Sequence, residues 1–148
     1  MAKADSTATV VWKGDLVHGS GEVSVKSGAL PGFPVTWASR TLRSQGKSSP
    51  EELIAAAHAS CFSMALSNTL AEAGYPPEQL TVNATVGFDV VQGAPTITAS
   101  ALEVVGKVPG MERAAFGEAA EAAKGGCPVS RALEGNVKIT LAARLDEA

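Results

Sequence analysis

Alternating stretches and one long apolar run divide this chain. Thr9-Val10-Val11-Trp12 reads as a short strand and Glu22-Val23-Ser24-Val25 is apolar at every second position, with Lys13-Gly14-Asp15 and Gly19-Ser20-Gly21 between them. That pattern predicts a β-hairpin over residues 8–28. Gly28 and Pro31-Gly32-Phe33-Pro34 interrupt it. From Val35 to Leu42 the alternation returns, with Val35, Trp37 and Ser39 on one face and Thr36, Ala38 and Arg40 on the other, so a third strand is expected. Ser44-Gln45-Gly46-Lys47 reads as a polar loop.

The run from Ser48 to Gly74 has no alternation and is small or apolar at most positions. Ser48 and Ser49 offer a hydroxyl cap, Pro50 suits a first helical position, and Glu51 and Glu52 lie against the positive end of the helix dipole. Gly74 followed by Tyr75-Pro76-Pro77 is a stop signal. The run predicts one helix of about 25 residues, on the order of 37 Å long. Apolar on most of its sides, it reads as a buried helix, longer than one small subunit is wide. Beyond it, Leu80–Val91 alternates, Gln92-Gly93-Ala94-Pro95 turns, and Thr96–Val108 is a longer strand. Met111–Lys124 has helical spacing, Pro128–Leu133 suits a short helix, and Val137–Leu145 alternates again. Strands, a long helix, a hairpin, a helix and a strand make an α+β pattern in a single domain over residues 1–148.

Composition narrows the function. With 148 residues, 45% hydrophobic and 18% charged, the chain suits a globular domain rather than a disordered segment or a coiled coil. A net charge of −3 with scattered Lys and Arg argues against a nucleic-acid partner. His58, Asn68, Glu72 and the two leading glutamates argue against a membrane span for the long helix. Met1–Thr9 has no apolar core of the signal-peptide kind, which favours the cytoplasm, where thiols stay reduced.

Two cysteines and two histidines stand apart in the sequence, which is not a zinc signature; no metal and no cofactor is expected. Cys61, in mid-helix, reads first as a small buried hydrophobe. His58, three residues earlier, lies on the same face, so either a Cys–His nucleophile pair or a hydrogen-bonded interior histidine fits. Cys127 follows Gly125-Gly126 and precedes Pro128, which puts its sulfur near a helix start, a position that stabilises a thiolate. By that criterion Cys127 is the more acidic thiol. Arg40 and Glu51 read as surface charges, or Glu51 as a helix-dipole partner. Glu51 and Cys61 lie about 15 Å apart along the helix axis and meet only if a second helix runs antiparallel beside the first.

Pro50-Glu51-Glu52-Leu53 through His58-Ala59-Ser60-Cys61-Phe62 to Leu66 resembles the first-cysteine helix of the OsmC/Ohr peroxidases, and Gly126-Cys127-Pro128-Val129-Ser130 resembles their second-cysteine motif. The resemblance extends to Trp12-Lys13-Gly14-Asp15, to Val108-Pro109-Gly110 and to the final strand. Arg40 matches the arginine of the OsmC (osmotically inducible protein C) branch. The segment His18-Gly19-Ser20-Gly21 lacks the arginine of the Ohr branch, although Gly135-Asn136 is similar to Ohr.

The resemblance implies an OsmC-like fold, with antiparallel sheets wrapped around long central helices in an intertwined homodimer with shared active sites. It also implies reduction of organic hydroperoxides, and more weakly of hydrogen peroxide, in oxidative or osmotic stress. Cys61 is then the attacking thiol and becomes a sulfenic acid, and Cys127 resolves it to an intramolecular disulfide. Arg40 supplies a permanent cation, and Glu51 of the partner subunit orients it by a bidentate pair. An external dithiol, lipoyl groups included, restores both thiols. Phe62, Met64, Phe33 and Trp37 are candidates for an alkyl pocket. Two other readings exist: a non-enzymatic osmotic-stress or ligand-binding protein with incidental cysteines, and a Cys–His hydrolase, which lacks an evident oxyanion loop.

Overall fold

The first hairpin forms as its alternation requires. In the computed structural model, which describes residues 4–42 and 46–146, β1 (Ala8–Lys13) and β2 (Ser20–Val25) pair antiparallel with Val10 opposite Val23 and Trp12 opposite Gly21. β3 (Phe33–Val35) adds to the other edge of β2, with Val35 opposite Gly21. Ser44 and Gln45 of the polar loop lie outside the described residues.

The strand expected over Val35–Leu42 is corrected. It stops at Val35, and Trp37–Leu42 is a short helix, α1. Thr36 and Ser39 decide this: the Ser39 N–H donates to Thr36 Oγ1 and the Thr36 N–H to Ser39 Oγ, both at 3.0 Å. That reciprocal cap starts a helix whatever the alternation of the residues that follow. Ser39 Oγ–H also donates to the Ser48 carbonyl at 2.7 Å, and the Ser48 N–H donates to Pro34 O at 2.9 Å. These bonds bring the start of the next helix back to α1.

That helix, α2 (Pro50–Glu72), has the ends read from the sequence. Ser49 Oγ accepts the Glu52 N–H at 3.1 Å, and Gly74 at φ +91° lets the Tyr75 N–H reach Leu70 O at 2.9 Å. Its burial departs from expectation. His58, Phe62, Leu66 and Leu70, at steps of four, are fully buried, while Ala57, Ser60, Met64, Asn68 and Ala71 are exposed. α2 is therefore a half-covered helix with one inward stripe.

The chain divides into two compact units, one ending at Leu53 and one starting at Ile54. In the second, β4 (Gln79–Val91) and β5 (Ala94–Lys107) form a long hairpin closed by Gln92 and Gly93, both at positive φ, the two-residue turn that follows strand twist. β6 (Lys138–Leu145) pairs with β5 in parallel, so this sheet is mixed rather than antiparallel throughout. A parallel return needs a crossover of a dozen residues or more. Here α3 (Arg113–Gly126) and α4 (Pro128–Leu133) make it. The inward stripe of α2 packs with Leu102 and Val104 of β5 and with Phe116, Ala120 and Ala123 of α3. Gly106 lets β5 pass Phe116: a Cβ there would lie 2.6 Å from the ring.

Candidate active site

The residues singled out in the sequence fall into two groups. In the first unit, Arg40 ends α1 and Glu51 opens α2. The Arg40 Nε–H donates to Glu51 Oε1 at 2.7 Å, with the carboxylate side chain 8% exposed and the arginine 27%. The guanidinium also lies 5.8 Å from the centre of the Trp37 ring. Glu51 Oε2 is buried and accepts no hydrogen bond among the described residues. Within one chain, then, Arg40 already pairs with Glu51, through Nε. The cause is local. With α1 a helix and Ser48 tied to Pro34 and Ser39, residues eleven apart in sequence face one another.

In the second unit, Cys61 on α2 and Cys127, the residue that caps α4, are both free thiols; Cys61 packs against the core cluster that contains Cys127, and each acts on the ionisation of the other. Their surroundings differ. Cys61 is partly exposed, whereas Cys127 is fully buried. Burial pushes the Cys61 thiol up, only partly offset by the Val129 N–H, and the Cys127 sulfur pushes it further. Burial acts the same way on Cys127 but is outweighed by hydrogen bonds from the Ser130 N–H, the Cys61 thiol, the Ser130 hydroxyl and the Val129 N–H, so its pKa is lowered. Cys127 is the more acidic thiol, as its place before a helix suggests. Cys61 is the one that solvent can reach.

His58 lies beside this pair, fully buried. Its Nδ1 is 2.6 Å from Ser100 Oγ on β5, and its Nε2 is 2.7 Å from Ser130 Oγ on α4. Burial lowers its pKa, so the imidazole is neutral near pH 7. Of the two readings open for His58, the hydrogen-bonded interior histidine is the one found. Ser100 and Ser130 were missed in the sequence; the one signal was the place of Ser130, three residues after Cys127 and on the first turn of α4.

Phe62 is fully buried in the core, and Met64 is 73% exposed. A surface cavity of the second unit, about 1040 Å³, is lined by Lys107, Met111, Arg113 and Leu145 among others, and neither cysteine lines it. Among the described residues, no group of three or more His, Cys, Asp or Glu side chains is arranged to hold a metal ion.

An α+β chain with a mixed three-stranded sheet, a long half-covered helix and a close pair of reduced thiols is a redox-protein architecture. Residues 43–142 match the family model described as OsmC-like protein, and the chain belongs to the OsmC family. It is 42% identical to Peroxiredoxin OsmC of Escherichia coli (strain K12) over 128 residues, 86% of this chain and 89% of that protein. It is 32% identical to an organic hydroperoxide resistance protein of Xanthomonas axonopodis pv. citri over 93 residues, 62% of this chain and 63% of that one. The crystal structure of the organic hydroperoxide resistance protein OhrB of Bacillus subtilis superimposes with a TM-score of 0.73 at 27% identity, covering 95% of this chain and 98% of that one.

Proposed function

We propose that this chain is a thiol-dependent peroxidase that reduces organic hydroperoxides to alcohols, with hydrogen peroxide as a poorer substrate. The observation that carries the reading is the pair of neighbouring free thiols, one reachable and one buried, in a chain whose relatives are named for peroxiredoxin and organic hydroperoxide resistance functions. Access, rather than acidity, assigns the roles. Cys127 is the more acidic sulfur but is closed off, so Cys61 meets the peroxide.

In this reading the Cys61 thiolate attacks the terminal peroxide oxygen, the O–O bond breaks, and the alkoxide takes a proton and leaves as the alcohol. Cys61 is left as a sulfenic acid. Cys127 then attacks that sulfur and the S–S bond forms as the S–O bond breaks. The departing hydroxide takes up the proton that Cys127 gave, leaving as water. An external dithiol, such as a lipoyl group, reduces the disulfide. A thiol whose pKa burial raises needs a cation to ionise, and the reading gives that part to Arg40, which pairs with Glu51.

The same reading includes a homodimer. The open face of α2, with Met64 73% exposed, and the exposed Val10, Val11 and Trp12 of β1 are apolar surface of the kind that a partner covers. By length and hydropathy α2 would also pass for a membrane span, with 22% of its most apolar window buried. Its inward stripe is part of a core and includes His58, and we place the protein in the cytoplasm.

Consumption of cumene hydroperoxide and of hydrogen peroxide with a dithiol, in wild type, Cys61→Ser and Cys127→Ser, tests the proposal. The expected result is a preference for the organic peroxide and a loss of about a thousandfold or more in Cys61→Ser. Cys127→Ser is expected to retain one round of peroxide reduction and to lose disulfide formation. Activity that survives in Cys61→Ser and vanishes in Cys127→Ser reverses the roles. A wild type inert with several dithiols returns the chain to the ligand-binding reading.

A further inference from the structure

α4 is a small element in an exacting place. It has six residues, Pro128–Leu133, and Cys127 is its cap. Gly125 and Gly126 end the helix before it. A Cβ on either glycine would meet nothing within 4 Å, and neither backbone is left-handed, so packing calls for glycine at neither position. Glycine in a helix costs stability and leaves the backbone freer than any other residue would. The chain is therefore least constrained directly before the segment that carries Cys127, and something else must fix where α4 stands.

A buried hydrogen bond does so. His58 of α2 is fully buried, and its Nε2 lies 2.7 Å from Oγ of Ser130 on α4, itself 4% exposed. Its Nδ1 lies 2.6 Å from Oγ of Ser100 on β5, also fully buried. A neutral imidazole donates at one nitrogen and accepts at the other, and a hydroxyl does either, so both bonds close without a charge. Apolar side chains would fill the same space at no desolvation cost. They would lack direction: an apolar contact tolerates a small slide of one helix past another, and a short hydrogen bond weakens steeply with it.

The bond reaches the two thiols through the backbone. On α2, Cys61 follows His58 by three residues and shares its face. On α4, Ser130 follows Cys127 by three residues, and the Arg131 N–H donates to the Cys127 carbonyl at 3.0 Å, which closes the turn that contains both. Each cysteine thus stands about one helical turn from the bond. Cys61 packs against the core cluster of which Cys127 is a member, so how the two sulfurs align depends on how α4 sits against α2.

We propose that His58 is a positioning residue: through Ser130 it pins α4 to α2, with Ser100 holding the ring from β5, and so keeps Cys61 and Cys127 in register to form a disulfide. Disulfide formation as a step of turnover rests on the peroxidase reading; the register of the two thiols does not. It can be read with glutathione disulfide as the oxidant. One cysteine thiolate attacks the reagent, and a mixed disulfide forms as one glutathione thiolate leaves. The other cysteine then attacks the protein sulfur and the second glutathione leaves. Two electrons pass from the two cysteines to the two glutathione sulfurs, and each cysteine gives up one proton. The second attack is the one that register controls.

The test equilibrates the whole chain in glutathione buffers of set ratio and counts reduced thiols by alkylation. Ser130→Ala and His58→Phe are each expected to move the equilibrium about tenfold toward the dithiol, the order of one buried hydrogen bond, which is about 30 mV in potential. Ser130→Thr, which keeps a hydroxyl, and His58→Gln, whose amide can donate to one serine and accept from the other, are expected to restore most of it. An equilibrium unmoved in both Ser130→Ala and His58→Phe overturns the proposal, even where the melting temperature falls, because the row would then only stabilise the core. Ser130→Ala decides if His58→Phe does not fold. A wild type that forms no Cys61–Cys127 disulfide in these buffers also overturns it. A wild type that forms the disulfide with glutathione yet consumes no cumene hydroperoxide defeats the peroxidase reading and leaves the register standing.

Discussion

In the second unit α2, β5 and α3 close on Phe62, Leu66, Leu70, Leu102, Val104 and Phe116, all at most 1% exposed. In the first unit β1 is exposed along its whole length, and Val23 is the one large apolar side chain buried among the described residues. Its other buried side chains are Ser39 and Glu51. The unit with little apolar interior therefore contains a buried carboxylate, and the unit with a closed core contains both sulfurs. Stability and charge are placed apart. The sulfur pair sits where packing fixes geometry, and the Arg40–Glu51 pair sits where covering surface is still wanting.

This contrast predicts that truncation costs very different amounts in the two units. Phe116→Ala removes a fully buried ring that abuts Gly106 and should lower unfolding stability by about 3–5 kcal/mol. Val11→Thr in β1, 56% exposed, should stay within about 0.5 kcal/mol of wild type at concentrations where the protein is monomeric. Urea unfolding of the two variants at low protein concentration measures both. Equal losses would mean that β1 has a core of its own and would erase the contrast.

The ion pair gives the next effect. Arg40→Met leaves the Glu51 carboxylate buried without its guanidinium, with Oε2 already unpaired among the described residues. A cost of about 1–3 kcal/mol is expected. Arg40→Met combined with Glu51→Leu removes both charges and should recover much of that stability while leaving turnover low. Thermal melts read beside peroxide consumption separate the two: recovered stability with recovered turnover would show that Arg40 has no part in the chemistry.

How far these two regions were legible depended on the range of the interactions. The first hairpin, the ends of α2 and the place of Cys127 directly before a helix are set by neighbours within a turn or two, and all three were readable. The strand expected at Val35–Leu42 failed because alternation of Val35, Trp37 and Ser39 says nothing of the Thr36–Ser39 cap that overrides it. The parallel direction of β6 depends on where α3 and α4 deliver the chain, which no local pattern encodes. His58 was visible as a residue on the Cys61 face. Its partners stand 42 and 72 positions away, and only folding shows that they are serines at hydrogen-bonding distance. The reading of α2 as buried on most sides came from its composition, but the chain buries only the stripe through His58, Phe62, Leu66 and Leu70.

The smallest effect expected is a pH dependence that belongs to the second unit alone. Folding buries His58 as a neutral imidazole and lowers its pKa below the ordinary 6.5. Above 6.5 the histidine is neutral folded and unfolded, and its full contribution to stability is present. As pH falls below 6.5 the unfolded chain takes up a proton that the folded chain refuses, so stability falls until the pH passes the lowered value. Asp15, whose carboxyl is lowered by the His18 backbone and side chain, acts in a separate window below its ordinary 3.8. Urea midpoints measured on either side of pH 6.5 should therefore drop on acidification in wild type and drop less in His58→Gln, whose amide does not titrate. An equal drop in both would place the acid sensitivity outside the Ser100–His58–Ser130 row. A rise would mean that the imidazole is charged inside the core, with Ser100 and Ser130 both accepting from it.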